Sequence, residues 1–168
     1  IKYIITLLIL VLVLPLLGYS QDAINTSFED YTIGNVNKQN KWTVSKGTAV
    51  IAESTSYSHT GNKGLNILNA SALQADHVAY TSSQEGLSGY VYVDFWVKIN
   101  SIATGAFSVT GYDLKSNSRS FMFEFSTNGK IKVYNGSSGS KTISPAYTNG
   151  EWMRLSYKID NVNATCKF

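Results

Sequence analysis

The sequence has few of the residues that cross-link or punctuate other folds. Its 168 residues include one cysteine, two prolines and two histidines. With Cys166 alone, no disulfide can form within the chain, so this residue is either a free buried thiol or the partner of a cysteine outside this stretch. His59 and His77 fit no metal spacing such as His-x-x-x-His and adjoin no Ser or Cys nucleophile motif, so both are predicted to lie in exposed loops.

Charge is sparse and of mixed sign. Charged residues make up 15% of the chain, and 14 Lys and Arg against 11 Asp and Glu give a net charge of +3. The charges are scattered, with no basic run or stripe. This distribution argues against a nucleic acid as partner.

Helical periodicity is nearly absent after residue 20, where residues 71–77 could form one helical turn at most. Tyr, Thr, Ser, Asn, Val and Gly dominate instead, a composition typical of strands joined by turns. Alternating runs at roughly ten-residue spacing predict an antiparallel sandwich or jelly roll in a single domain over residues 21–168. The predicted strands are Trp42–Val44, Ala49–Ala52, Leu65–Leu68, Val78–Thr81, Tyr90–Ile99, Ala106–Tyr112, Arg119–Ser126, Lys130–Tyr134, Lys141–Ile143 and Trp152–Asp160.

Tight turns are expected at three Asn-Gly pairs, at residues 128–129, 135–136 and 149–150. The first of them separates two alternating runs, which is the strongest short-range signal for a β-hairpin. The sequence therefore predicts antiparallel pairing in this region.

The one long apolar run stands at the N-terminus. Lys2 provides a positive start, residues 3–17 are almost wholly apolar, and residues 18–20 place small side chains at the −3 and −1 positions of a cleavage site. This layout predicts a helical signal peptide over residues 1–20 and a secreted or cell-surface protein without a membrane span after cleavage. The run falls short of the roughly 20 residues of a spanning helix, and an uncleaved N-terminal anchor is the alternative.

The clearest strand pattern covers residues 90–99. Its apolar face carries Val91, Val93, Phe95, Val97 and Ile99, and its other face carries Tyr90, Tyr92, Asp94, Trp96 and Lys98. The run at residues 152–160 alternates in the same way, with Met153, Leu155, Tyr157 and Ile159 opposed to Trp152, Arg154, Ser156, Lys158 and Asp160. Each run is therefore predicted to bury one face and expose the other.

The two polar faces would meet if both strands lay in one sheet. Aromatic planes can stack under the C–H face of a sugar ring, and charged groups can bond to its hydroxyls. The sequence thus predicts a glycan-binding face with Tyr92, Asp94, Trp96 and Arg154 as its ligand-binding residues. The alternative is that loops cover this face and that the aromatic rings, Trp96 and Trp152 above all, fill space.

Three motifs resemble the concanavalin A-like jelly roll, especially its laminin-G-like branch in secreted microbial proteins. They are Ser27-Phe-Glu-Asp-Tyr-Thr-Ile-Gly34 followed by Trp42, Tyr92-Val-Asp-Phe-Trp-Val-Lys98, and Gly150-Glu-Trp-Met-Arg-Leu-Ser-Tyr-Lys-Ile-Asp160. The resemblance implies an all-β, antiparallel, two-sheet jelly-roll sandwich whose first strand lies near Phe28. It also implies a packing role for Trp96 and a structural calcium ion, for which Glu29, Asp30 and Asp160 are the candidate ligands, and no other cofactor.

The ends of the sequence suggest a fragment of a longer product. The chain starts at Ile rather than Met and stops inside a predicted strand at residues 164–168. We therefore expect other domains in the same chain and a closing strand beyond Phe168.

Catalytic signals are weak. The glutamates form no Glu-x-Asp-x-x-Glu pattern of the kind that retaining glycosidases of the resembled superfamily carry, and no lyase signature is present. Glu124 and Asp94 are the one carboxyl pair that could share a face, and glycoside hydrolysis needs two opposed carboxyls. The sequence therefore favours a secreted, non-catalytic carbohydrate-binding or adhesion module that binds a polysaccharide or glycan. A polysaccharide lyase or hydrolase with residues outside this stretch, and a structural spacer domain, are the alternatives.

Overall fold

The computed structural model describes residues 26–68, 77–81, 89–101, 106–113, 118–135, 140–143, 146–160 and 165–167. Within these ranges the protein consists of strands and turns with no helix, which confirms the predicted all-β class. The predicted signal peptide and the side chain of Cys166 lie outside the described residues, as does the helical turn predicted at 71–77 except for His77, which lies in a strand. In the same ranges no helix has the length and apolar character needed to cross a membrane.

Twelve strands follow one another along the described residues. They are β1 (Gly34–Asn35), β2 (Trp42–Lys46), β3 (Thr48–Glu53), β4 (Lys63–Leu68), β5 (His77–Tyr80), β6 (Tyr90–Lys98), β7 (Phe107–Asp113), β8 (Ser118–Phe125), β9 (Ile131–Asn135), β10 (Ser140–Ile143), β11 (Trp152–Asp160) and β12 (Thr165–Lys167).

The strands form antiparallel sheets in the orders β1-β3-β4, β2-β5, β10-β9-β8-β7 and β12-β11-β6. The pairing of β6 with β11 was the condition for the predicted polar face, and it is confirmed. Its register runs from Trp152 opposite Lys98 to Asp160 opposite Tyr90. The arrangement is consistent with a β-sandwich.

Two hydrophobic cores hold these sheets together. The first core lies between β1-β3-β4 and β2-β5, with Val36, Ala49 and Ile51 buried at its centre. The second core lies between β12-β11-β6 and β10-β9-β8-β7, with Phe123 and Phe125 at its centre. Among the described residues, none belongs to both cores.

Aromatic rings dominate the second core. The ring centroid of Phe123 lies 5.6 Å from that of Phe95 and 5.7 Å from that of Tyr157, both edge-on. Edge-to-face contacts of this kind add to the free energy gained by burial. The inward faces that the alternation predicted for β6, β8 and β11 are therefore the faces that line this core.

The hairpin predicted at Asn128-Gly129 joins β8 and β9. The Gly129 N–H donates to the Ser126 carbonyl at 3.0 Å, and the Ser126 N–H donates to the Lys130 carbonyl at 2.9 Å. Gly129 has a φ of +76°, the left-handed conformation that closes a three-residue hairpin loop.

The expected first strand near Phe28 is wrong. Phe28 lies in a turn, which the Tyr31 N–H closes by donating to the Phe28 carbonyl at 3.1 Å. Its φ of +68° is incompatible with an extended strand. The first described strand is instead β1, whose two residues pair with β3.

Candidate functional site

The outward-facing side chains of β6 and β11 form one continuous surface, here named the aromatic strip. It consists of Tyr90, Tyr92, Asp94, Trp96 and Lys98 from β6 and of Trp152, Arg154, Ser156, Lys158 and Asp160 from β11. At 3.4 Å per residue, nine paired residues give the strip a length of about 27 Å. Its most open ring is that of Tyr92, which is 68% exposed.

An ion pair occupies the centre of the strip. Arg154 Nε donates to Asp94 Oδ1 at 2.9 Å, and Arg154 Nη2 donates to Asp94 Oδ2 at 2.5 Å. Both side chains are exposed, so water screens the pair and its contribution to stability is small. The two parallel bonds nevertheless fix the planes of the carboxylate and the guanidinium.

The pair shifts the titration of both groups. The hydrogen bonds from Arg154 hold the pKa of Asp94 below its ordinary value of 3.8, against a smaller rise from desolvation. The bonds to Asp94 raise the pKa of Arg154 in turn. Since the folded-state pKa of Asp94 is lowered, the pair stabilises the fold above pH 3.8, and this contribution is lost as the pH falls through the lowered pKa.

We expect an NMR titration of the Asp94 carboxyl carbon to have its midpoint below pH 3.8. In Arg154→Gln the midpoint should move upward, because the substitution removes both the charge and the paired donors. Lys132→Gln, which removes a cation from the other sheet of the second core, is the control and should leave the midpoint unchanged. Equal midpoints in the wild type and Arg154→Gln would show that the pair does not form in solution.

At one end of the strip a lysine lies over two tyrosine rings. Lys158 Nζ is 3.6 Å from the ring centroid of Tyr90 and 5.6 Å from that of Tyr92. Both distances are within cation–π range. The ammonium group thus restrains the two rings, while Tyr90 remains 55% and Tyr92 68% exposed.

At the other end a loop from the first core lies on the strip. The imidazole of His59 stacks on Trp96 with the ring centroids 3.5 Å apart and the planes 11° from parallel. Its edge meets the ring of Trp152 at 5.6 Å. Lys98 Nζ lies 5.0 Å from the Trp152 centroid and donates to the carbonyl of Ser56. Trp96 is 45% exposed, and His59 occupies part of its ring face.

The loop that carries His59 runs from residue 54 to residue 62, between β3 and β4, and is held by its own hydrogen bonds. The buried Ser58 hydroxyl lies 3.3 Å from the Ser54 carbonyl and 3.0 Å from the Gly61 carbonyl. Glu29 Oε1 accepts hydrogen bonds from the N–H groups of Asn62 and Lys63, both at 2.9 Å. These bonds position His59 against Trp96.

The predicted residues are thus brought together unequally. Tyr92, Asp94 and Arg154 lie side by side on the open part of the strip, whereas Trp96 is partly covered by the loop, as the packing alternative expected. His59 is in an exposed loop, as predicted, but its contact with the strip was missed. Its Ser, Thr and Gly neighbours in the sequence gave no signal, because the contact joins a loop of the first core to a strand of the second.

The three candidate calcium ligands do not converge on one described cluster. Glu29 and Asp30 are adjacent in the turn before β1, and Asp160 ends β11 in a sheet of the second core. Calcium takes six to eight oxygen ligands, and one oxygen of Glu29 already accepts two backbone N–H groups. Among the described residues no three His, Cys, Asp or Glu side chains are grouped to hold a metal ion. The calcium site stays a prediction.

The carboxyl pair considered for hydrolysis does not share a face. Glu124 alternates with the buried Phe123 and Phe125, so it points outward from β8, where it pairs with Lys132 at 3.1 Å. Asp94 points outward from the opposite sheet of the second core. Because the packed sheets separate the two groups, they cannot flank a glycosidic bond.

Comparisons with protein-family models, with curated proteins and with solved structures find no match to this chain. The resemblance to laminin-G-like domains therefore rests on the three sequence motifs.

Proposed function

We propose that the protein is a secreted, non-catalytic carbohydrate-binding or adhesion module of the concanavalin A-like jelly-roll type, and that its aromatic strip recognises a glycan. The observation that carries the proposal is the open ring of Tyr92 beside the Asp94–Arg154 pair on a sheet face. The ring offers a stacking surface, and the pair offers acceptors and donors for hydroxyl groups.

The ion pair prepares the strip for binding. Asp94 and Arg154 hold each other in place, so little side-chain freedom remains to be lost when a ligand arrives. The carboxylate has lone pairs left to accept from sugar hydroxyls, and the guanidinium has N–H groups left to donate to them. Because the strip is shallow and about 27 Å long, a chain of several sugar units suits it better than a single ring.

Two features support the proposed fold family and the proposed extracellular location. The pairing of β6 with β11 joins two of the three motifs that resemble laminin-G-like domains. The signal-peptide pattern at residues 1–20 favours the cell surface or the extracellular space. We infer that the module belongs to a larger extracellular protein with further domains in the same chain.

The test is retention on polysaccharide. We expect Tyr92→Ala to weaken binding about tenfold, equivalent to roughly 1.4 kcal/mol, because it removes the most open stacking surface. Affinity electrophoresis through gels containing a panel of polysaccharides measures the change, and thermal denaturation verifies the fold of the variant. Tyr112→Ala is the matched control, since Tyr112 is 59% exposed on β7 in the other sheet.

A structural spacer and a polysaccharide-degrading enzyme would give different results with the same polysaccharides. A structural spacer would be retained by none of the gels. A lyase or hydrolase would release unsaturated or reducing ends from one of the polysaccharides. Equal retention of the wild type and Tyr92→Ala would show that the aromatic strip is not the surface that binds the polysaccharide.

A further inference from the structure

A second candidate site, which is concave, lies at the edge of the first core and shares no residue with the aromatic strip. The turn at residues 26–31, the turn at residues 37–41 and the end of β5 border a half-open cavity of about 420 Å³. This volume is in the range of small-molecule sites. The residues that matter for its chemistry are Thr26, Phe28, Asp30, Tyr31, Asn40 and Tyr80, and the cavity is here named the Phe28–Tyr80 pocket.

Three aromatic side chains, those of Phe28, Tyr31 and Tyr80, contribute the apolar part of a mainly polar lining, and a fourth ring packs against all three. The ring of Trp42 lies 5.9 Å from Phe28 and 5.3 Å, edge-on, from Tyr80. Trp42 Nε1 donates to the hydroxyl of Tyr31 at 3.1 Å, and the rings of Tyr31 and Phe28 are 5.3 Å apart. Because Trp42 holds all three rings, the walls of the pocket are rigid.

Several polar groups that line the pocket can still form hydrogen bonds to a ligand. Asp30 and Asn40 are exposed, and neither side chain has a hydrogen-bond or ion-pair partner among the described residues. The neighbouring Glu29 contrasts with them, since its carboxylate accepts two backbone N–H groups. The hydroxyl of Thr26 accepts from the Phe28 N–H at 3.2 Å and still has a proton to donate.

Backbone strain is concentrated around the same pocket. In the described chain, the non-glycine residues with positive φ are Phe28 at 68°, Lys38 at 69°, Asn40 at 42° and Lys41 at 69°. Two of them, Phe28 and Asn40, line the cavity. A bulky aromatic residue in the left-handed region is a true outlier, and such strained residues gather where a ligand is clamped.

We propose that the Phe28–Tyr80 pocket binds a single neutral sugar ring, independently of the aromatic strip. The Asp30 carboxylate accepts from the hydroxyls of the ring, and the Asn40 amide both donates and accepts. The smaller apolar part of the lining, from Phe28 and Tyr80, suits the C–H groups of the ring. A quaternary ammonium ligand would also suit the rings and the carboxylate, but it would leave the amide and the hydroxyl without partners. The mixed polar groups therefore favour a sugar.

This assignment goes beyond the proposed function, because it adds a site with a different task. The strip is an open surface for a run of sugar units, whereas the pocket encloses one ring and suits a chain end or a free monosaccharide. Its residues come from the first core and its turns, and those of the strip come from a sheet of the second core.

Calorimetric titration of the full chain with glucose, galactose, mannose, xylose and N-acetylglucosamine tests the pocket. We expect saturable binding of at least one of these sugars and a loss of tenfold or more in Asp30→Asn. Tyr92→Ala should bind the same sugar with unchanged affinity. Glu53→Gln, which neutralises an exposed acid on β3, is the matched control and should also be unaffected.

Three outcomes would overturn the assignment. Failure of all five sugars to bind excludes the pocket as a site of this class. Loss of binding in Tyr92→Ala with retention in Asp30→Asn assigns the sugar to the strip, and the proposed function survives. If choline binds saturably and no sugar competes with it, the ligand is a quaternary ammonium compound and not a sugar. If Asp30→Asn melts early, Asn40→Gly repeats the test without altering the left-handed backbone there.

Discussion

Replacement of Phe123 by alanine is expected to lower the free energy of unfolding by about 3–5 kcal/mol. Phe123 is 1% exposed and lies where the two sheets of the second core meet. Its ring contacts those of Phe95, Phe121 and Tyr157, so truncation removes partners from three strands at once. Whole domains of this size are stable by about 5–15 kcal/mol, so this loss is a large part of the total free energy of unfolding.

Chemical denaturation followed by tryptophan fluorescence measures this loss. Phe123→Leu is the graded variant and should lose less, because most of the buried volume remains. Tyr112→Ala removes a ring of similar size from the surface and should change stability by no more than about 0.5 kcal/mol. A loss below about 1 kcal/mol in Phe123→Ala would mean that the ring is not at the centre of the core.

The second large effect is expected from Gly64→Ala, at about 3 kcal/mol of lost stability. Gly64 is buried in β4, and a Cβ added there would overlap the carbonyl oxygen of Tyr57. That oxygen belongs to the backbone, so it can move only if the turn moves. Because Tyr57 immediately precedes the Ser58–Gly61 part of the loop, the shift should also pull His59 away from Trp96.

Two measurements separate these consequences. Denaturation gives the stability, and limited proteolysis between residues 54 and 62 reports the release of the loop. Gly34→Ala is the control in the same sheet, where an added Cβ meets no atom within 4 Å and only the φ of +112° opposes the change. That variant should keep the loop protected. A protected loop in Gly64→Ala would contradict the close approach of Tyr57.

The strands could be predicted largely from the sequence, because alternation in sheets is a local property. The bounds of β11 are those predicted, and those of β6 differ by one residue. The turn at Phe28 could not be predicted, because its left-handed φ depends on packing against Tyr31 and Trp42. The division into two cores was also beyond the sequence, since alternation shows which face is buried but not what covers it.

The grouping of the candidate site residues on β6 and β11 could also be predicted from the alternation, because the pairing of the two strands decides it. Once β6 and β11 pair, Tyr92, Asp94 and Arg154 must lie on one face, and the sequence predicted that neighbourhood. The contact of His59 with Trp96 depends on how the loop at 54–62 meets the other sheet pair, and no spacing rule encodes it. Glu29 shows the same limit, because its bonds to the N–H groups of Asn62 and Lys63 span residues distant in sequence.

The separation of the two cores also orders events during synthesis of the chain. The described residues of the first core lie between residues 28 and 78, so all of them exist once β5 has been made. β6 finds its antiparallel partner β11 only when Asp160 has been added, whereas the strands β7 to β10, against which its apolar face packs, are made before that point. A nascent chain thus carries the first core beside a β6 strand whose edge is still unpaired and therefore prone to aggregation, and the loop bearing His59, which contacts Trp96 of that strand, has already been made.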